Sequence, residues 1–239
     1  MVIGARKTLF ATLIGTLVLT GCGNSDRPNK AQTNQKQGKV LPFKVCSLIN
    51  NDAFQDNLSM IDIDAKVQGG QSNDWAATAI AIAKHLGALG ISTDVKVTLS
   101  RSDLRDLEQQ TQNGFKWLSQ VYYAIDPKHS IGMGNSNDKQ WLISYATDKS
   151  VATLQDIHIA NDYENFIEKN YDEEKIDKII KAKYKLKNDW RLPMSNMVSN
   201  TSNPDDYAID ESRQKDALSN LDDLAKANTH TEQKFDCAF

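Results

Sequence analysis

This sequence predicts an α+β fold, on three observations. Residues 61–67 and 93–99 alternate apolar and polar side chains with a period of two, as strands with one wet face do. Residues 74–89, between them, repeat apolar side chains at three and four, which is helical spacing. From Val151 onward the apolar period is helical. Strands first and helices afterwards predict a small mixed or antiparallel sheet of about five strands, one buried helix on a face, and a helical C-terminal region.

The elements follow in order. Residues 44–50 (KVCSLIN) form a short apolar run closed by Asn50, Asn51 and Asp52, and read as the first strand. In the second, Ile61, Ile63, Ala65 and Val67 alternate with Asp62, Asp64 and Lys66. The Gly69-Gly70 loop leads to the helix, in which Trp75, Ala76, Ala79, Ile80, Ala83, Leu86 and Leu89 make a broad apolar stripe ended by Gly87 and Gly90. A helix this apolar belongs against a sheet. Val95, Val97 and Leu99 mark the third strand. Residues 102–116 predict a short surface helix around Leu104 and Leu107, stopped at Gly114. Residues 118–125 and 140–146 are aromatic strands, read as antiparallel partners across the long loop 126–139. Helical spacing resumes at Leu154 and runs through Ile157, Phe166, Ile176 and Ile180 to Leu186. Residues 195–206, rich in Ser, Asn, Pro and Asp, read as loop. A weak amphipathic helix through Leu218, Leu221 and Leu224 closes the chain.

The two ends set the domain boundaries. Arg6 and Lys7 precede an apolar run over residues 9–19, and Leu19-Thr20-Gly21-Cys22 follows at once. A basic start, an apolar stretch of ~7–15 residues and small residues at a cut site are the parts of a secretory signal. The run is too short for a span, which takes about 20 apolar residues. Residues 23–40 (GNSDRPNKAQTNQKQGKV) carry almost no apolar content and read as a flexible tether. The division expected is therefore a signal peptide over 1–21, a lipidated tether over 22–40, an α+β domain over 41–193, and a loop with a weak helical tail over 194–239.

The Leu-Thr-Gly-Cys run resembles the lipobox of bacterial lipoprotein precursors. The resemblance covers residues 1–22 only and implies a processing route, not a fold. It implies cleavage before Cys22 and lipid on that cysteine through a diacylglyceryl thioether, usually joined by an N-acyl chain. More than one acyl chain gives stable attachment, where a single chain holds only marginally. It also implies the cell envelope as the location. Gly23 is not the aspartate that commonly retains lipoproteins in the inner membrane, so the outer membrane is favoured over the inner.

Composition narrows the partners. The chain has 28 basic and 31 acidic residues, and loss of Arg6 and Lys7 with the signal leaves 26 against 31, a mild acidity. That balance does not suit a phosphate backbone, so no nucleic-acid partner is expected. The partners expected are the membrane, through lipid at Cys22, and another envelope protein. Cys46 and Cys237 remain as an even pair in a compartment that permits disulfides. They read either as a staple between the first strand and the tail or as two free thiols.

Few residues carry a signal for chemistry. His85, His129, His158 and His230 fall at no metal-ligand spacing and no C-x-x-C exists, so neither a metal nor another cofactor is expected. No G-x-S-x-G or H-E-x-x-H is present. Asp62 and Asp64 stand on the wet face of one strand, about 7 Å apart by strand rise. Carboxylate pairs at comparable separations perform acid–base work on glycosidic bonds, although any half-exposed strand alternates polar residues. In loop 126–139, His129, Ile131 and Met133 offer a contact tip for a protein partner, long loops in compact domains often being functional. The lysines of residues 172–187 follow an acidic start, in the sense the helix dipole favours, and read as a solvated helix face. The function expected is a membrane-anchored envelope lipoprotein acting as a protein-binding or structural accessory factor. The alternative is a hydrolase of cell-wall or glycan substrate working through the exposed carboxylates.

Overall fold

The computed structural model describes residues 35–52, 58–104, 107, 111–127, 139–191, 196–201, 203–227 and 232–239. The chain enters the fold through strand β1 (Lys36–Lys39), then forms the antiparallel pair β2 (Phe43–Asp52) and β3 (Ser59–Val67). Helix α1 (Ser72–Ala88) carries it to β4 (Asp94–Arg101), parallel to β3. One turn, α2 (Asn113–Lys116), leads into β5 (Trp117–Ala124) and β6 (Trp141–Ala146), which pair antiparallel. Helices α3 (Leu154–Glu168) and α4 (Glu173–Tyr184) precede β7 (Met197–Thr201), and β8 (Tyr207–Asp210), α5 (Lys215–Ala227) and β9 (Gln233–Lys234) end the order. The main sheet is mixed and seven-stranded, in the order β7-β6-β5-β4-β3-β2-β9, and β1 and β8 form a separate parallel ribbon. The architecture is α+β, as the order of periods predicts, with more strands than the periodicity marks.

Register explains where the core sits. Leu48, Ile63, Val97, Val121 and Ile143 are successive partners across five strands, and all five are fully buried. They face α1, whose Ala76, Ala79, Ile80 and Ala83 are fully buried in turn. Each such aliphatic side chain contributes ~1.5–3 kcal/mol on leaving water. The helix lies close because its contact positions are small. At Gly87 an added Cβ would stand 2.4 Å from the ring of Tyr123, which itself stacks on Trp141 at 4.0 Å.

The ends of the domain differ from the sequence reading. The last residues of the expected tether are folded: Lys36–Lys39 form β1, and Val40 is buried. KQGK has no apolar pattern. Its place comes from backbone pairing to β8 and from Gly38, where a Cβ would meet the Asn73 carbonyl at 2.6 Å. Lys36 Nζ donates to the Tyr145 hydroxyl at 2.9 Å and lies 5.2 and 5.3 Å from the Tyr145 and Tyr207 ring centres. The expected loop over 195–206 contains β7, added to the β6 edge. The expected tail is part of the core, since Leu218, Leu221 and Ala225 of α5 pack with α1 and β2. One compact unit spans Asn34–Phe239. In the expected helix over 102–116, Gly114 lies inside α2 and Leu104 is buried in a small second core with Phe115 and Ile157.

Two polar devices join these parts. Asn196 is fully buried; its Nδ2 donates to the Phe115 carbonyl at 2.7 Å and its Oδ1 accepts from Ala152 N–H at 2.8 Å. It thereby ties the approach to β7 to the starts of β5 and α3. Helices α3 and α4 form a hairpin with a core of its own, built on Ile159, Ile176 and Ile180. Thr153 and Asp156 make a reciprocal cap on α3, and the Asp172 carboxylate caps α4 by accepting from Glu174 and Lys175 N–H. Between the two, Asn170 takes a left-handed φ of 57°, a conformation asparagine adopts more readily than most residues.

Candidate functional site

The face of the sheet turned away from α1 carries the next row of partners. Ile49, Asp62, Lys96, Tyr122 and Leu142 stand side by side across β2 to β6. Lys96 Nζ lies 2.7 Å from Asp62 Oδ2, with both side chains less than a quarter exposed. Asp64, one pleat further along β3, is exposed and accepts from the Ser47 hydroxyl at 3.2 Å. Partial burial holds the Asp62 carboxyl above its ordinary range; the hydrogen bond and charge of Lys96 pull the other way and do not cancel it. Burial opposes the Lys96 charge too, but Asp62 outweighs it there and the ammonium is held above its usual value. The pair is thus an ion pair on the sheet face, flanked by Ile49, Tyr122 and Leu142. Asp62 is spent on Lys96, and Asp64 points to solvent beside a serine. This arrangement suits surface recognition better than proton transfer to a glycosidic oxygen, which needs two carboxyl groups converging on one bond.

A second feature lies where β3 and β4 end together. Parallel strands run their carboxyl ends to one side, and ligand crevices of open α/β sheets form there. Here a cleft of about 510 Å³ is lined by Val67, Gly70, Trp75, Arg101, Leu154 and Phe239, among others. Its walls are fixed by polar bonds. Trp75 Nε1 donates to the Gly69 carbonyl at 2.8 Å. Arg101 is buried; its guanidinium grips both Asp103 oxygens at 2.6 and 2.7 Å and donates to the Ala152 carbonyl at 2.6 Å. That grip is the main cause that lowers the Asp103 carboxyl below its usual range. The rim is apolar and open: Leu154 is 43% exposed and Phe239 48%. The nearby start of α1 is already occupied, because Ser72 N–H donates to Asp148 at 2.7 Å and Asp74 accepts from Gln71 and Lys39.

The remaining expected site residues are placed as follows. Cys46 and Cys237 are joined in a disulfide, with Cα atoms 5.0 Å apart. Cys22, His129, Ile131 and Met133 lie outside the described residues. His85, on α1, is 2.6 Å from Asp222 on α5 and helps dock that helix, while His158 is exposed. Among the described residues no group of three His, Cys, Asp or Glu is arranged to hold a metal, and no helix is long and apolar enough to cross a membrane. On α4, Lys178 and Lys181 pair with Glu174 and Asp177 one turn back, and Lys183 reaches Asp162 on α3. Sequence reasoning missed Lys96, Trp75, Arg101 and Phe239. The in-phase alternation of β3 and β4 carried a signal for Lys96, because parallel pairing puts it beside Asp62. No local pattern marks the cleft, which is assembled from five separate stretches of chain.

No family model matches this chain, and no curated protein matches it. Among solved structures it is similar to a DUF487 family protein from Desulfovibrio piger, with a TM-score of 0.45 and 17% identity over 71% of this chain and 97% of that one.

Proposed function

We propose that this chain is an envelope lipoprotein, anchored through lipid on Cys22, whose domain acts as a protein-binding accessory factor. The observation that carries this reading is the sequence of residues 1–22: a basic start, an apolar run and Leu-Thr-Gly-Cys. The Cys46–Cys237 bond supports it, since disulfides persist in exported proteins and are rare in the cytosol. The surface supports a binder. Ile49, Tyr122 and Leu142 flank a partly buried ion pair on the sheet face, and apolar groups around a few fixed charges are what protein interfaces use for affinity and register.

The test is site-specific photo-crosslinking in cells, with the reactive group at Asp64 or Leu142 on this face and at Lys178 on α4 as control. A discrete crosslinked partner at the sheet positions and none at Lys178 is the expected result. A chain that instead cleaves cell-wall glycan, with the activity lost in Asp62→Asn, would overturn the reading in favour of a hydrolase.

A further inference from the structure

The last residues of the sequence form a strap that runs from the sheet edge to the cleft. β9 pairs with β2 at only two positions, Ser47 with Lys234 and Leu48 with Gln233, and Phe235 N–H adds a bond to the Cys46 carbonyl at 2.8 Å. The β2–β3 register shifts between Val45 and Ser47, so Cys46 sits at a bulge. A bulge re-aims a side chain, and Cys46 reaches Cys237. Past the disulfide, Lys44 Nζ bonds the Ala238 carbonyl and lies 5.3 Å from the Phe239 ring centre. Phe239 then lines the cleft with Trp75 and Leu154, while nearly half of it stays in contact with solvent.

We propose that the β2 edge and this cleft form one binding site for an extended peptide, which the chain's own strap occupies in the closed state. The ligand class is read from the occupant: a short β-strand for the edge and, five residues beyond it, an aromatic side chain for the cleft. Strand addition to a sheet edge with a pocket for one side chain is an established mode of peptide recognition. An intramolecular occupant competes at an effective concentration in the millimolar range, and the disulfide holds it there. Opening the latch takes two electrons and two protons. A dithiol donor ends as a disulfide, and Cys46 and Cys237 end as thiols. This proposal rests on the reading of the domain as a binder, and it names where the binding occurs.

The experiment uses the purified full chain and a labelled peptide with the strap's sequence over residues 232–239, serine standing at the position of Cys237. Binding is followed by fluorescence anisotropy to three proteins: the oxidised wild type, the wild type reduced with dithiothreitol, and Cys237→Ser/Phe239→Ala. The peptide is expected to bind the double variant at least tenfold tighter than the oxidised wild type, with the reduced wild type between them. A peptide whose final Phe is replaced by Ala is expected to bind the double variant at least tenfold more weakly. Equal binding to all three proteins, or equal binding of the Phe and Ala peptides, would overturn the proposal. Should the double variant fail to fold, as judged by its thermal melt, the Phe/Ala contrast on the reduced wild type decides. A negative result in this purified system leaves the sheet-face crosslinks and the lipid anchor standing, so the two readings fail separately.

Discussion

Helix α1 and helix α4 are held by different means. Eleven of the 17 residues of α1 are buried, including Thr78, and no polar face remains to mark its orientation. Of the 12 residues of α4 only Ile176 and Ile180 are buried. Its support is partly local, from the Asp172 cap, two acid–lysine pairs at i and i+4 and lysines toward its C-terminal end, and partly the small core it shares with α3. The exposed pairs contribute only tenths of a kcal/mol each and the cap ~1 kcal/mol, whereas burial contributes several per turn. The contrast predicts a stable sheet–helix body carrying a hairpin that opens at lower cost; the cleft borders both, since Leu154 begins α3.

The widest test of that contrast is a pair of equal deletions. Ile80→Ala should cost about 3–4 kcal/mol, as large-to-small changes in tight cores do, and shift the urea midpoint of the whole domain. Ile176→Ala should leave that midpoint nearly unmoved and raise amide exchange only in α3 and α4. Matching global shifts would mean that hairpin and body unfold as one. Gly87→Ala comes next. Its new methyl meets the Tyr123 ring, and overpacking of ~1–3 kcal/mol outweighs the ~1 kcal/mol that alanine adds to helix propensity. A stabilised variant would show that the Tyr123–Trp141 stack gives way freely.

A smaller effect sharpens the account of the sheet face. Asp62 is held above its ordinary value, so its contribution favours the fold at low pH and is lost as pH rises through its folded value. Asp103 has the opposite sign: its contribution is present above the ordinary carboxylate range and is lost as pH falls through its lowered value. Asp62→Asn should therefore gain stability relative to the wild type between pH 3.5 and pH 7, measured as the difference in urea midpoints. A relative loss over that range would mean that Lys96, not burial, governs Asp62. The smallest change belongs to the hairpin surface: Lys178→Ala should move stability by no more than about 0.5 kcal/mol, because exposed i, i+4 pairs contribute little.

The same contrast separates what was legible in the sequence from what was not. β3, β4 and α1 are written in their own periodicity, because each buries a face or a whole surface and must be apolar where it does so. Asp62 and Asp64 were placed on the wet face for the same reason. β1, β8 and β9 are strands of two to four residues, too short to show a period, although Tyr207 of β8 is buried in the core. KQGK becomes a strand because Tyr207–Asp210 lies beside it and α1 tolerates the close approach of Gly38. β7 is set by the β6 edge and by Asn196, which no local pattern announces. The tail reads as a weak helix outside the domain because it is polar between its few apolar residues, yet Leu218, Leu221 and Ala225 are enough to dock α5 on the core. The Arg101 grip and the cleft depend on tertiary placement alone.

Metabolic labelling with radioactive palmitate tests most directly whether a lipid on Cys22 holds this domain in the envelope. The wild type should incorporate label and run as a shortened mature form. Cys22→Ser should incorporate none and persist as full-length precursor. Label on the Cys22→Ser protein, or a wild type that stays unlabelled and unprocessed, would contradict the account.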